Sequence, residues 1–178
     1  NYAPRTLATI DPSSISQTDR TYQFDAAALP YLIEMLSAAR GEQIDLLVAS
    51  SYRSFADQKN LKTSYAMRFG TTAANSFSAD QGYSEHQLGT AVDLTTADVG
   101  GKFVGFAKSP AYTWLTSHAY EYGFILSYPT TNSYYIYEPW HWRYVGMRLA
   151  RYLHDNNKNF YDLDQRDINS YLVDFYSL

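Results

Sequence analysis

Two short stretches carry the residue types needed to hold a metal ion and move a proton. The first is Tyr83-Ser84-Glu85-His86-Gln87-Leu88-Gly89-Thr90-Ala91-Val92-Asp93-Leu94, where the imidazole of His86 precedes the carboxylate of Asp93 by seven positions. A strand opening at Gly89 would put Gly89, Ala91 and Asp93 on one face and Thr90, Val92 and Leu94 on the other, because side chains alternate along extended backbone. The second face is apolar enough to be core. The first sets a carboxylate beside residues with almost no side chain, which leaves room for an ion. A helix would also align positions seven apart, but Gly89 and the β-branched Thr90 and Val92 disfavour it. His86 then lies in the turn before the strand.

Two ligands do not hold a catalytic zinc, so a third must come from the other histidines, His118, His141 and His154. His141 stands in Tyr137-Glu138-Pro139-Trp140-His141-Trp142-Arg143, three positions after a carboxylate. Zinc bound by two imidazoles and one carboxylate keeps a fourth position for water, lowers the pKa of that water to about 7, and needs a nearby carboxylate to accept its proton. Glu138 is the candidate base. A lone histidine among aromatics is more often a packed, hydrogen-bonded residue, and this is the expectation for His118 and His154. Two carboxylate-bearing motifs in one small chain favour metal for His86 and His141.

A third stretch is Ser50-Ser51-Tyr52-Arg53-Ser54, with Gln58 after it. It follows an apolar run, 44–49, that fits a buried strand, and precedes a helical stretch from about Phe55 to Phe69, so Arg53 falls at a strand end where loops carry function. A guanidinium there can grip a peptide's terminal carboxylate with two parallel hydrogen bonds. The plainer alternative is a surface ion pair with an acid such as Asp57.

In their order and spacing the three motifs resemble the zinc D-alanyl-D-alanine carboxypeptidases of the vancomycin-resistance type and their L,D-carboxypeptidase relatives, peptidase family M15 subfamily B. The resemblance runs from about Ala26 to Arg151. It implies Zn2+ on His86, Asp93 and His141, Glu138 as catalytic base, and Arg53 with Ser84 and Gln58 in substrate binding; Trp140 is expected to line the pocket. Ser51 stands where many relatives have glycine, and Leu88 where threonine is frequent. The activity implied is hydrolysis that releases the terminal D-alanine of a peptidoglycan stem peptide, D,D on a pentapeptide or L,D on a tetrapeptide. A monomer at the bacterial surface, outside the cytoplasm, is the expected setting. Two rivals from other classes are an endopeptidase of the phage-lysin kind and a wall-binding module without turnover, although a binding module has no need of Glu138.

The elements that must position these residues follow from periodicity. Residues 1–24 have no sustained period and read as an extended segment packed on a single domain, 25–178. Asp25 to Arg40 shows helical spacing of Leu29, Leu32, Ile33, Leu36 and Ala39, with Asp25 as N-cap and Gly41 as stop. The stretch 70–82 reads as an irregular lip over the pocket. Ser109-Pro110 opens a helix that Gly123 closes. Phe124–Tyr128 and Tyr134–Tyr137 flank the turn-prone Pro129-Thr130-Thr131-Asn132 and read as a hairpin. Val145–Leu153 and Ile168–Phe175 close the chain as helices, with His154 at a helix end where positive charge is favoured. Irregular alternation of helices and strands points to α+β, a small, mainly antiparallel sheet flanked by helices; the resemblance implies the same, as the Hedgehog/D,D-peptidase fold.

Bulk properties exclude other classes. At 178 residues, 46% hydrophobic and 18% charged, the chain is long enough for a real core and has no disordered arm. A net charge of -4 without a basic cluster excludes nucleic acid as the partner. No apolar run approaches the roughly 20 residues that span a bilayer. The absence of cysteine removes disulfides and thiolate zinc sites. Asn1 in place of an initiator methionine suggests a processed or trimmed chain, which is compatible with the removal of an export signal.

Overall fold

The computed structural model describes residues 2–132 and 135–172. The N-terminal stretch, where no regular element was expected, forms an antiparallel pair of β1 (Leu7–Thr9) and β2 (Gln23–Asp25). Asp25 accepts hydrogen bonds from the backbone of Ala27 and Ala28 in the turn that follows. Helix α1 therefore begins three residues later than an N-cap at Asp25 suggested, at Leu29–Gly41, with Pro30 in its first turn where the missing N–H costs nothing. Leu32, Met35, Leu36 and Ala39 form its buried stripe, whereas Ile33, expected in the core, is half exposed.

Strand β3 (Leu46–Ser50) leads through the Arg53 loop into α2 (Phe55–Phe69), capped by the Ser54 hydroxyl on the Asp57 amide. The expected lip contains a regular element instead, the short helix α3 (Thr71–Phe77). Ala74 is buried in it, but at seven residues the helix is too short to show a sustained apolar period in sequence. A 3-10 turn over Glu85–Leu88 precedes β4 (Ala91–Thr96). Then come α4 (Pro110–His118), capped by Ser109, β5 (Phe124–Leu126), β6 (His141–Tyr144), α5 (Met147–Asp155) and α6 (Gln165–Leu172). The expected end of the last helix, at 173–175, lies outside the described residues.

Strands β3 to β6 make one antiparallel sheet in the order β3-β4-β6-β5. The expected hairpin partner of β5 is corrected here: residues 135–137 form no strand, and β5 pairs with β6, Leu126 opposite Trp142 and Phe124 opposite Tyr144. Of the expected second strand, Tyr134 lies outside the described residues. One sheet face, with Val48, Val92, Leu94, Phe124, Trp142 and Tyr144, packs with α1 and α4 into the main core. Each fully buried aliphatic side chain there contributes about 1.5–3 kcal/mol. The opposite face carries Ala91, Asp93, His141 and Arg143, with Asp93 paired to His141 and Ala91 to Arg143. Beside it α5 builds a second cluster of Ile125, Leu149, Ala150, Leu153 and Phe160. The fold is thus α+β, a small antiparallel sheet flanked by helices, as expected.

Gly89 joins the 3-10 turn to β4 at φ +77, where side chains are strained, and a Cβ there would come within 2.7 Å of the Pro4 ring. Gly89→Ala should therefore destabilise by about 1–3 kcal/mol. Calorimetry should register this as a fall in Tm of roughly 2–4 °C per kcal/mol for a chain of this size.

Candidate active site

Asp93 and His141 face each other across β4 and β6, and the 3-10 turn delivers His86 against them. All three are buried, and their ligand atoms lie within 4.8 Å of one another; among the described residues they are the one such group of three. Each imidazole has one nitrogen committed and one turned inward. His86 Nδ1 lies 2.8 Å from the Ser51 carbonyl, leaving Nε2 3.3 Å from Asp93 Oδ2. His141 Nε2 lies 2.9 Å from Glu85 Oε2, leaving Nδ1 3.1 Å from Asp93 Oδ1. Two inward nitrogens and a carboxylate are the donor set of a hydrolytic zinc, so the residues present fit that ion.

Glu138 joins them through a local reversal of the chain. In a straight strand Glu138 and His141 would point to opposite faces. A turn across Pro139-Trp140, closed by the His141 amide on the Glu138 carbonyl at 3.1 Å, removes that obstacle. Glu138 Oε2 comes to 3.9 Å from His141 Nδ1. Trp140 stacks on Phe103 beside the turn and packs against the main core.

Arg53 makes no ion pair with Asp57, whose carboxylate takes the Ser54 hydroxyl. Its guanidinium donates to Gln58 Oε1 at 2.7 Å and Ser50 Oγ at 3.0 Å. Gln58 is fully buried, and its amide donates onward to Ser78 Oγ and the Ala79 carbonyl, so it reaches the site through Arg53. The Arg53 amide donates to the His86 carbonyl, which ties the arginine loop to the metal loop. Ser84, also buried, precedes the 3-10 turn and its carbonyl accepts from the Gln87 amide.

Burial alone would raise the carboxyls, yet Glu85 sits well below the usual range because Arg143 and His141 hold its charge. Asp93 is likewise low despite burial, through His86 and His141. Burial lowers His86, favouring its neutral form. His141 is raised to about 10, the bonds to Asp93 and Glu85 outweighing its burial. Glu138 is raised to about 7, chiefly by burial and against the pull of His141.

Glu85, Arg143, Tyr128 and Tyr161 escaped the sequence reading. Arg143 was within reach of it, since it shares a strand face with His141 two positions away. Glu85 Oε1 accepts from Arg143 and Tyr161, each at 2.7 Å, and the Tyr128 ring stacks 4.7 Å from that of His141. His118 bonds the Trp114 carbonyl within α4, and His154 pairs with Asp155 and stacks on Tyr120, as their structural expectation required.

The family model described as D-alanyl-D-alanine carboxypeptidase (VanY) matches residues 21–147. A D-alanyl-D-alanine carboxypeptidase of Enterococcus faecalis is 32% identical over 148 residues, covering 76% of this chain and 53% of that protein. Among solved structures, the LdcB LD-carboxypeptidase matches with a TM-score of 0.82 and 31% identity, covering 97% of this chain and 79% of the other. A vancomycin-resistance D,D-pentapeptidase solved with Zn(II) matches at 0.69 and 28% identity, over 88% and 87% of the two chains. The match spans between 36% and 63% of the length of the curated relatives.

A cation entering between the three ligands must displace the proton from His141 Nδ1 at any pH below about 10. Apparent zinc affinity should therefore rise with pH, on the order of tenfold per unit for one proton released. Calorimetric titrations in buffers of different ionisation enthalpy count that proton; a pH-independent affinity between pH 6 and 9 contradicts the assignment.

Proposed function

Since this chain belongs to the D-alanyl-D-alanine carboxypeptidase (VanY) family, we propose that it is a zinc-dependent metallopeptidase that removes the C-terminal D-alanine from peptidoglycan stem peptides. The observation that carries the reading is the buried His86–Asp93–His141 set with Glu138 3.9 Å from a ligand nitrogen. Zinc held by these three supplies a Lewis acid and a water acidic enough to react near neutral pH. Glu138 takes a proton from the attacking water and returns it to the leaving amine. Partial burial suits it to both halves of that exchange, because a carboxyl near 7 gains and loses a proton readily at working pH. A cation at the three ligands would draw that value downward.

Arg53 binds the substrate's terminal carboxylate. Its bonds to Gln58 and Ser50 engage one N–H of each terminal nitrogen and fix the guanidinium plane, and the remaining N–H groups are free by valence for a bidentate grip. Gln58 acts by holding Arg53, Ser84 contributes to the pocket behind the metal loop, and Trp140 forms a wall next to Glu138. The high similarity to an LD-carboxypeptidase structure favours a second reading, cleavage of the L,D bond of a tetrapeptide stem. Both reactions release D-alanine and both call for a protein that acts outside the cytoplasm, where peptidoglycan lies. Digestion of penta- and tetrapeptide muropeptides followed by mass spectrometry separates them; loss of a fragment larger than one alanine would indicate an endopeptidase and refute both.

Glu138→Gln should retain zinc and lose about 10²–10⁴ in kcat, because the amide keeps the shape and cannot accept the proton. Metal analysis alongside kinetics decides: zinc lost with activity makes Glu138 a ligand, and zinc and activity both kept place the base elsewhere. In the parent protein kcat/KM should rise as Glu138 ionises, with its midpoint at or below about pH 7.

Amidating the substrate's C-terminus should remove most of the activity, since the guanidinium would face a neutral group in place of its anion. Equal rates on acid and amide would contradict the role given to Arg53.

A further inference from the structure

We propose that Glu85 is a positioning residue that holds the ring proton of His141 on Nε2 and thereby makes Nδ1 the metal-binding nitrogen. The inference rests on the zinc site proposed above. A neutral imidazole carries one N–H, and the hydrogen bond made by one nitrogen decides which form the other presents. Glu85 Oε2, 2.9 Å from Nε2, belongs to a carboxylate and only accepts, so Nε2 donates.

The carboxylate cannot turn away from this task. Its other oxygen accepts from Arg143 Nη1 and the Tyr161 hydroxyl at once, both at 2.7 Å. Arg143 lies over the Phe160 ring at 4.6 Å, and Tyr161 meets the same ring edge-on at 5.4 Å. Tyr128 stacks on the imidazole and keeps it from flipping. The two metal histidines are thus oriented in the same manner by different means: a backbone carbonyl for His86, an ionised side chain for His141.

Glutamine at position 85 would keep the shape and reverse the instruction. Arg143 and Tyr161 both donate to the Oε1 position, so they would hold the amide oxygen there. The amide NH2 would then face Nε2 and offer it a proton, which moves the ring proton to Nδ1, the nitrogen that the metal needs bare.

The test uses the zinc-loaded parent and Glu85→Gln. Chelator competition should show zinc held about 10- to 100-fold more weakly in the variant, the usual effect of losing such a partner. The melting temperature of the metal-free variant, measured beside it, reports folding separately. Parent-like zinc affinity in a folded Glu85→Gln protein overturns the proposal. Should the variant fail to fold, nitrogen-15 NMR of the zinc-loaded parent decides alone: a proton on Nε2 and a metal-shifted Nδ1 of His141 are expected, and the opposite assignment overturns it. A parent that binds no zinc at all refutes the zinc reading itself, whereas a parent that binds it and a variant that binds it equally refutes only the role of Glu85.

Discussion

The placement of Asp93 opposite His141 on a buried sheet face is the constraint from which the remaining structure follows. Facing residues of an antiparallel pair hold their Cβ atoms only about 4.5–5.5 Å apart, so a carboxylate and an imidazole in that relation meet without any loop having to bring them together. The register that does this is fixed from the other side of the sheet. Val92, Leu94, Trp142 and Tyr144 fill the main core, and a slip of one residue would turn those apolar groups outward and the polar pair inward. Core packing and site geometry are two readings of one register.

Burying two carboxylates, Asp93 of that pair and Glu85 beside it, would be strongly unfavourable without compensation. The compensation is local and stepwise: Asp93 between two imidazoles, Glu85 between His141 and the Arg143–Tyr161 pair, and Arg143 against the ring of Phe160 in the second cluster. The cluster packed by α5 therefore supports the charged face of the sheet as well as enlarging the interior.

The parts legible in the sequence are those with a single dominant physical signal. Helix α2 was placed correctly, at about Phe55 to Phe69, and β4 was recognised as a strand because Gly89 and the β-branched Thr90 and Val92 argue against a helix, although it opens at Ala91 and not at Gly89. Helix α3 was hidden because seven residues are too few to show a sustained apolar period. The pairing of β5 was misread because Pro129 to Asn132 has hairpin chemistry, while its true partner, His-Trp-Arg-Tyr, has a polar face buried for the sake of the site and so does not look like a strand of either usual kind. The spacing of Glu138 and His141 left their meeting undecided, and the reversal at Pro139 settled the geometry. Glu85 was passed over because its importance depends on a partner 58 positions away.

The two loops that approach the sheet from the Arg53 and His86 sides are stitched together twice: His86 Nδ1 donates to the carbonyl of Ser51, and the amide of Arg53 donates to the carbonyl of His86. Two bonds in opposite directions between the same short segments leave neither free to slide. The register shift in β3 between Val48 and Ser50 sets the height from which the first loop starts. In the proposed reaction one loop holds the end of the substrate chain and the other holds the reacting centre. On that reading their mutual fastening would make the protein a calliper, the span between its jaws set by backbone and the bond to be cut chosen by counting inward from the substrate's end.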